Sequence, residues 1–301
     1  MIEGILTALV TPFNSEPKEW PSIDYASLEK LVMWQLECGV SGFVVAGTTG
    51  ESATLSAEEK LSLIKYVVGL VKGRVPVVAG TGSNNTKQTI ELTRAAKEAG
   101  ADAALIVCPY YNKPTQEGLY RHYEYLAKKV DIPFVLYNVP GRTGVSIAPE
   151  TVARLSKISN IVAIKEASGN LDLVSQILSL CSITVLSGED SLTMPMMAIG
   201  AQGSISVTAN VVPDLNRRMI HASLDGDVEE AQELHYQLFS LSKVLFVETN
   251  PIPVKTALAM MGKIKEEFRL PLCEISKENR EKVRKILIEL GVVSSKKKVK
   301  V

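Results

Sequence analysis

The feature of this sequence that most constrains its fold is a regular alternation between short apolar runs and amphipathic segments. The apolar runs are rich in β-branched residues and occupy the first two thirds of the chain, and amphipathic stretches such as "SAEEKLSLIKYVVGLVKG" separate them. They begin at Gly4, Gly42, Val75, Ala101, Ile132, Ile161, Ile183 and Gly203. Strands that alternate with helices form parallel βαβ units, and eight units in about 210 residues predict a (β/α)8 barrel, the TIM barrel.

A doubly wound sheet is the alternative fold, but it usually has fewer strands and a GxGxxG turn after the first one. Here the first strand runs into "TPF". After Val211 the pattern changes to helices with little strand between them. We therefore predict a catalytic barrel over residues 1–212 and a small helical C-terminal extension over residues 213–301, with a solvated basic end, "KKKVKV".

Charge and composition exclude several classes of function. The chain of 301 residues has 33 basic and 33 acidic side chains, so nothing indicates affinity for nucleic acid or a membrane. No apolar run approaches the roughly 20 residues of a membrane span. The first residues lack the features of a signal peptide, and the four cysteines form no CxxC pair, so we expect a cytoplasmic protein with reduced thiols. The three histidines show no metal-ligand spacing, and we expect no metal.

In a TIM barrel the active site lies at the carboxyl ends of the strands. Polar side chains collect at these ends, whereas the opposite ends of the strands are apolar or small. We therefore predict a functional site at this rim. The polar residues are Thr48 and Thr49 after strand two, Tyr110 and Tyr111 after strand four, Tyr137 and Arg142 after strand five, Lys165 and Glu166 after strand six, and Glu189 and Asp190 after strand seven.

The stretch "GTTGES" places hydroxyls and backbone N–H groups where a strand turns into a helix. Such a turn can bind a phosphate or a carboxylate, although it can also be a plain capped turn. The loop after strand seven carries Glu189 and Asp190 and no basic residue. These acids argue against a phosphorylated substrate, so a carboxylate at Thr48 and Thr49 is the favoured ligand.

Lys165 ends the apolar run "IVAI". Side chains alternate along a strand, so Lys165 shares a face with Ala163, and Glu166 points the other way. Burial in the barrel disfavours a charged amine, and a neutral amine forms Schiff bases with ketones. The alternative is a structural lysine at the rim. On the neighbouring strand, Tyr137 could transfer protons or could be a buried tyrosine with a satisfied hydroxyl. Arg142, in a tight loop, could hold a carboxylate or form a surface salt bridge.

The motifs "GTTGES", "PYYNKPTQEGLY", "LYNVPGRTG", "IKEASGN", "LSGED" and "ETNPIPVK" occur together and in this order. As a set they resemble the dihydrodipicolinate synthases, of the pyruvate-dependent Schiff-base aldolase superfamily. The resemblance extends from "LVTPF" to "EFRLPL". It implies that Lys165 forms the Schiff base, that Tyr137 is the general acid and base, and that Thr49 and Tyr111 complete a proton relay. Tyr111 is then expected to reach across a dimer interface.

The resemblance also implies the ligand contacts. The backbone amides of Thr48 and Thr49 hold the pyruvate carboxylate, Arg142 holds the carboxylate of the second substrate, and Gly188 and Ile205 line the pyruvate pocket. The implied reaction condenses pyruvate with L-aspartate 4-semialdehyde to 4-hydroxy-tetrahydrodipicolinate, in the diaminopimelate route to lysine. It needs no metal or organic cofactor. The implied assembly is a homotetramer, built as a dimer of dimers.

The sequence departs from the resemblance in a regulatory pocket that binds lysine in inhibited bacterial members. Ser52, Ala53, Asn84 and Tyr110 match this pocket. Two histidines and a glutamate of the inhibited members are replaced by Ala57, Lys60 and Gln88. We predict weak or absent inhibition by lysine.

Other aldolases share the lysine and the tyrosine, among them N-acetylneuraminate lyases and keto-deoxy sugar acid aldolases. The stretches "YYNKPTQEGLY" and "GRTG" favour the synthase. A sugar-phosphate aldolase is disfavoured by the acidic loop after strand seven. A non-catalytic barrel that binds a keto acid is disfavoured by the complete set of Lys165, Tyr137, Thr49 and Tyr111.

Overall fold

A computed structural model describes residues 2–17 and 19–294 of the chain. The basic end at residues 296–301 lies outside the described residues, so its predicted solvation is left open. Among the described residues, eight parallel strands form one sheet in chain order, and the eighth pairs with the first. The sheet is therefore a closed barrel, and the predicted TIM barrel is confirmed.

Each strand coincides with one of the predicted apolar runs, and nearly all strand residues are buried. This is expected because one face of a parallel barrel packs in the interior and the other lies beneath helices. The strands are β1 Gly4–Ala8, β2 Gly42–Val45, β3 Val77–Gly80, β4 Ala103–Val107, β5 Phe134–Asn138, β6 Ile161–Glu166, β7 Thr184–Ser187 and β8 Gly203–Ser206.

The helices begin where capping residues stand. Ser56 and Glu59, for example, form a capping box, in which each side chain bonds the other residue's backbone N–H. The helices are α1 Tyr25–Glu37, α2 Ala57–Val71, α3 Thr86–Glu98, α4 Gln116–Lys129, α5 Pro140–Thr143, α6 Pro149–Leu155, α7 Leu171–Leu180, α8 Thr193–Ala198, α9 Pro213–Asp225, α10 Val228–Val244, α11 Ile252–Met260 and α12 Lys277–Glu289. None of these described helices is long and apolar enough to cross a membrane.

The barrel closes through a close approach between β8 and β1. A Cβ atom on Gly203 would lie 2.1 Å from the carbonyl oxygen of Gly4, and Gly203 has a φ of +149°. Only a residue without a side chain fits in this position. The glycine therefore lets the two strands pair.

The helices after β8 pack on the barrel and on one another. Helix α9 packs against β1, α10 packs against α9 and α12, and α11 lies against the short 3₁₀ turn Thr208–Asn210 that follows β8. Helix α9 thus belongs to the outer ring of the barrel, and the division of the chain after residue 212 stays a prediction. Helix α11 brings the segment before it, which includes Asn250, to the carboxyl-end rim.

Candidate active site

A cavity of about 410 Å³ lies at the carboxyl ends of the strands. Residues from several strand ends line it, including Lys165 from β6, Tyr137 from β5 and Thr48 from the turn after β2. The charged groups among its described lining residues are Arg142, Lys165 and Glu189. The structure therefore brings together residues that are far apart in the sequence, at the rim where the sequence predicts the site.

Lys165 is buried and lies in register with Tyr137 of the adjacent strand. Its Nζ atom is 4.5 Å from the centroid of the Tyr137 ring. Among the described residues, Lys165 forms no ion pair with a carboxylate, and the Tyr137 hydroxyl makes no hydrogen bond. The amine and the hydroxyl therefore face the cavity without a protein partner that would occupy them.

Gly188, at the end of β7, gives the lysine its space. A Cβ atom there would lie 2.7 Å from Cε of Lys165 and 3.0 Å from its Cγ. The same Cβ atom would also lie 2.7 Å from Cβ of Ala167. Real Cβ atoms essentially never come within 3.0 Å of another heavy atom, so a larger residue would force the lysine side chain or Ala167 to move. Gly188 thus shapes the path of Lys165 toward the cavity.

Glu166 points away from Lys165, as the alternation along the strand predicts. Its Oε2 accepts a hydrogen bond from Asn138 Nδ2 at 2.8 Å, and its Oε1 accepts one from the backbone of Ser168 at 2.6 Å. Burial raises the pKa of this carboxyl, and the two hydrogen bonds oppose that effect. Asn138 Oδ1 in turn accepts the backbone N–H of Ile147 at 3.0 Å. Asn138 thus links Glu166 to the loop that carries Arg142, and holds that loop in place.

The "GTTGES" turn presents free backbone amides to the cavity. The N–H groups of Gly50 and Ser52 both donate to the carbonyl oxygen of Gly47, which folds the turn. The N–H groups of Thr48 and Thr49 donate to no described residue. Two unpaired amides beside a cavity are suited to a carboxylate.

The two threonine hydroxyls have different surroundings. Thr49 Oγ1 accepts a hydrogen bond from Asn250 Nδ2 at 3.0 Å, and Thr49 is buried. No hydrogen bond joins Thr49 to Tyr137 in the described part of the chain. The Thr48 hydroxyl has no partner there either, and Thr48 lines the cavity together with Tyr137.

Arg142 lies on α5, at the mouth of the cavity. Its Nη2 donates to the carbonyl oxygen of Asn250 at 3.2 Å. The alternative of a surface salt bridge finds no support, since no carboxylate pairs with Arg142 in the described residues. Its other guanidinium donors remain available to a ligand.

Of the residues with a predicted catalytic or substrate-binding role, two do not line this cavity. Tyr111 is 90% exposed, is not among the residues that line the cavity and has a φ of +73°. Backbone in this region is strained for a tyrosine. Ile205 is buried on β8, where it pairs with Leu6 in the barrel interior, and Val207 lines the cavity instead. A single chain thus lacks the predicted contribution of Tyr111 to the site.

Both the sequence and the fold are similar to those of known proteins. The profile of the dihydrodipicolinate synthetase family matches residues 1–290. The chain belongs to this family. A 4-hydroxy-tetrahydrodipicolinate synthase of Thermodesulfovibrio yellowstonii is 53% identical over 295 residues, which cover 97% of this chain and 100% of that protein. The predicted family membership is confirmed.

Solved structures of the family are similar over the whole barrel. The dihydrodipicolinate synthase from Aquifex aeolicus has a TM-score of 0.94 and 48% identity, covering 98% of this chain and 100% of that one. A protein described as the first monomeric dihydrodipicolinate synthase variant has a TM-score of 0.94 and 43% identity, covering 97% of each chain.

A second cavity, of about 770 Å³, adjoins the first and shares Thr48, Tyr137, Arg142 and Asn250 with it. The residues that match the lysine-binding pocket of inhibited family members lie here, except Asn84, whose carbonyl oxygen accepts a hydrogen bond from Asn112. The predicted residues that do line it are Ser52, Ala53, Ala57, Lys60, Gln88 and Tyr110. Burial lowers the pKa of Lys60.

Sequence reasoning missed a buried ionic network behind the "GTTGES" turn. Glu51, whose φ is +54°, forms an ion pair with Lys255, and both side chains are fully buried. Arg269 contacts Glu59 through two hydrogen bonds of 2.8 and 2.6 Å. The network joins the family turn to the segment "ETNPIPVK", so the co-occurrence of these two motifs was the signal that could have revealed it.

No cluster of three or more His, Cys, Asp or Glu side chains in residues 2–17 and 19–294 could hold a metal ion. The expectation that the reaction needs no metal stays a prediction.

Proposed function

We propose that this protein condenses pyruvate with L-aspartate 4-semialdehyde to give 4-hydroxy-tetrahydrodipicolinate, in the diaminopimelate route to lysine. The protein is then a lyase of the Schiff-base type and uses no cofactor. The observation that carries the proposal is the buried Lys165 amine, 4.5 Å from the Tyr137 ring, in a cavity with unpaired amides at Thr48 and Thr49. The similar family members named above are synthases of this kind.

The reaction begins when the neutral amine of Lys165 attacks C2 of pyruvate. Loss of water gives an iminium, in which the former carbonyl oxygen has left and the nitrogen is bonded to C2. The two turn amides hold the pyruvate carboxylate, which places C2 near the amine. Tyr137 supplies and removes the protons, because its hydroxyl has no competing partner among the described residues.

The iminium nitrogen then withdraws electrons while C3 loses a proton, and an enamine results. The enamine carbon adds to the aldehyde of the second substrate, whose carboxylate is held by Arg142. The amino group of that substrate attacks C2, displaces the Lys165 amine and closes the ring. The lysine returns to its starting state.

The proton relay includes one threonine of the "GTTGES" turn. The sequence predicts Thr49 for this role, but the Thr49 hydroxyl bonds Asn250, whereas the Thr48 hydroxyl is unpaired among the described residues. We therefore assign the relay hydroxyl to Thr48 and keep Thr49 as an anchor of the turn. Ile205 supports the pocket floor from within the barrel.

Tyr111 completes the relay only from a second chain. Its 90% exposure and strained backbone support a role at an interface. A homodimer, paired further into a tetramer, is the proposed assembly, located in the cytoplasm. Sedimentation analysis measures the assembly directly, which matters because a similar protein is described as a monomeric variant.

The decisive experiment is borohydride reduction in the presence of pyruvate, followed by intact mass. A stable pyruvate adduct on the wild type and none on Lys165→Ala supports the Schiff base. No adduct on the wild type would reject the mechanism. Turnover with L-aspartate 4-semialdehyde, compared with N-acetylmannosamine and other sugar aldehydes, then separates the synthase from the sugar acid aldolases.

A further inference from the structure

The active-site cavity contains one carboxylate that the fold leaves without a basic partner. Glu189 is the one acid among the described residues that line the 410 Å³ cavity, where the basic residues are Arg142 and Lys165. Glu189 is partly exposed and forms no ion pair with a lysine or an arginine in residues 2–17 and 19–294. A charge in a confined site is costly unless another group pairs with it, so this carboxylate points to a positively charged group on a ligand.

Glu189 is held in place by the turn that follows β7. Its backbone oxygen accepts hydrogen bonds from Ser187 Oγ and from the N–H group of Leu192, both at 2.9 Å. Its Oε1 atom accepts a hydrogen bond from Ser191 Oγ, also at 2.9 Å. Its Oε2 atom accepts none from the described part of the chain. The turn thus fixes the side chain through one carboxylate oxygen and leaves the other oxygen available to a ligand.

The neighbouring acid, Asp190, has a different role. It is buried, and its Oδ2 atom accepts the backbone N–H groups of Val207 at 2.9 Å and of Thr208 at 3.0 Å. Asp190 therefore ties the turn after β7 to the segment after β8, and it does not line the cavity. Glu189 makes no such link between distant segments, so the stability of the fold does not explain its carboxylate.

We propose that Glu189 Oε2 accepts a hydrogen bond from the ammonium group of the second substrate. This inference rests on the proposed function, in which that substrate is L-aspartate 4-semialdehyde. An ammonium has three donors and no acceptor, and its hydrogen bonds to a carboxylate are strengthened by the opposite charges. Arg142 holds the carboxylate of the same substrate. The two charged groups of the amino acid are thus bound by two side chains of opposite charge.

Binding at two points makes the site selective for an amino acid. Arg142 alone would bind any aldehyde that carries a carboxylate at a suitable distance. Glu189 adds an attraction for an amine and repels a second anionic group. The site can therefore distinguish an aldehyde with a charged amine from the same aldehyde without it. The uncharged aldehyde group remains free to meet the enamine on Lys165.

The test compares L-aspartate 4-semialdehyde with succinate semialdehyde, which lacks only the amine. Glu189→Gln keeps the size of the side chain and an acceptor for Ser191 Oγ, but removes the charge. The matched control is Glu150→Gln, because Glu150 is exposed on α6 and lines neither cavity. Steady-state kinetics at saturating pyruvate give kcat/KM for the natural aldehyde, and competitive inhibition gives the affinity for the analogue.

We expect Glu189→Gln to lower kcat/KM for L-aspartate 4-semialdehyde by about 10- to 100-fold, the effect of a lost hydrogen bond between charged groups. The inhibition constant of succinate semialdehyde and the KM for pyruvate should change less than about threefold. Glu189→Asp keeps the charge on a shorter side chain and should lose less than Glu189→Gln. Glu150→Gln should behave as the wild type does. Borohydride trapping of pyruvate verifies that each variant is folded, and Glu189→Ala replaces Glu189→Gln if the latter forms no adduct.

Equal losses for the aldehyde and its analogue would overturn the proposal, because Glu189 would then act on a group that both compounds share or on the turn. An unchanged kcat/KM in Glu189→Gln, or a loss in Glu189→Asp as large as that in Glu189→Gln, would overturn it as well. A failure of the proposed function looks different, since the wild type itself would then not consume L-aspartate 4-semialdehyde.

Discussion

Lys165 and Tyr137 stand opposite each other on adjacent strands, with the amine 4.5 Å from the ring centroid. The register of β5 and β6 thus fixes the nucleophile and the proton-transfer group relative to each other. Neither side chain has a protein partner for its polar atom among the described residues. Both groups are held by packing and remain free to react.

Tyr137→Phe is expected to lower kcat by about 100- to 10,000-fold, the usual contribution of a general acid or base. The ring that contacts Lys165 is retained, so pyruvate should still be trapped by borohydride, but more slowly. Tyr123→Phe is the matched control, because Tyr123 is also buried and its hydroxyl donates to the carbonyl oxygen of Ile106 outside the site. Similar kcat values for the two variants would contradict the role of Tyr137.

Gly188→Ala should impair Schiff-base formation, because the new Cβ would lie 2.7 Å from Cε of Lys165. We expect the rate of pyruvate trapping to fall by about 10-fold or more, since a displacement of reacting groups by about 1 Å can cost 100-fold. Gly69→Ala in α2 is the control, because a Cβ there meets nothing within 4 Å. That change should leave trapping intact and stabilise the fold by about 0.5–1 kcal/mol.

The barrel could be predicted from the sequence because its signal is repeated. Each of the eight strands is a short β-branched run between helical segments, and errors at single boundaries do not change the pattern. Helix α9 was harder to place, since its sequence resembles the other helices after β8. Its contact with β1 depends on barrel closure, which joins residues about 200 positions apart.

The site could be predicted only where strand position determines it. Lys165 and Tyr137 lie at strand ends whose side-chain alternation can be read from the sequence. Asn250 and Lys255 lie beyond the strands, and neither helical periodicity nor spacing indicates that they reach Thr49 and Glu51. Their positions follow from how α11 packs on the barrel.

The buried pair of Glu51 and Lys255 predicts a strong effect on stability. Lys255→Met leaves the Glu51 carboxylate without its partner in a fully buried place, and should lower the free energy of unfolding by about 3–5 kcal/mol. The double variant with Glu51→Gln should lose less than the sum of the two single variants. Urea denaturation measures each value.

The control for this prediction is an exposed pair. Lys87 and Glu91 are 3.8 Å apart on the surface of α3, and Lys87→Met should cost less than about 1 kcal/mol. The coupling would be contradicted if the double variant lost as much stability as the two single variants together. It would also be contradicted if Lys255→Met cost no more stability than Lys87→Met.

His122 predicts a loss of stability in mild acid. Burial lowers the pKa of its ring from 6.5 to about 4. Between pH 6.5 and about pH 4, His122 is therefore protonated in the unfolded chain but not in the folded chain. Its contribution to the free energy of unfolding is complete above pH 6.5 and decreases as the pH falls toward about 4. The free energy of unfolding lost over this pH range is on the order of 3 kcal/mol.

The measurement is the free energy of unfolding at about pH 7.5 and about pH 4.5, for the wild type and for His122→Gln. Glutamine does not titrate and can still bond Thr86, which contacts His122 Nδ1 at 2.9 Å. We expect the variant to lose less stability in acid than the wild type. The exposed His221 provides the control. If His221→Gln reduced the loss of stability in acid as much as His122→Gln does, His122 would not be the residue responsible.

Inhibition by lysine should be weak. The second cavity presents Lys60, Ala57 and Gln88 where inhibited family members have two histidines and a glutamate. The positive charge of Lys60 and the replacement of a carboxylate by Gln88 disfavour binding of the ammonium groups of lysine. We expect half-inhibition only well above about 1 mM lysine in a steady-state assay with both substrates. The triple variant Ala57→His, Lys60→His, Gln88→Glu should lower that concentration by about 10-fold or more. Sub-millimolar inhibition of the wild type, or no gain in the triple variant, would show that these residues do not determine the response.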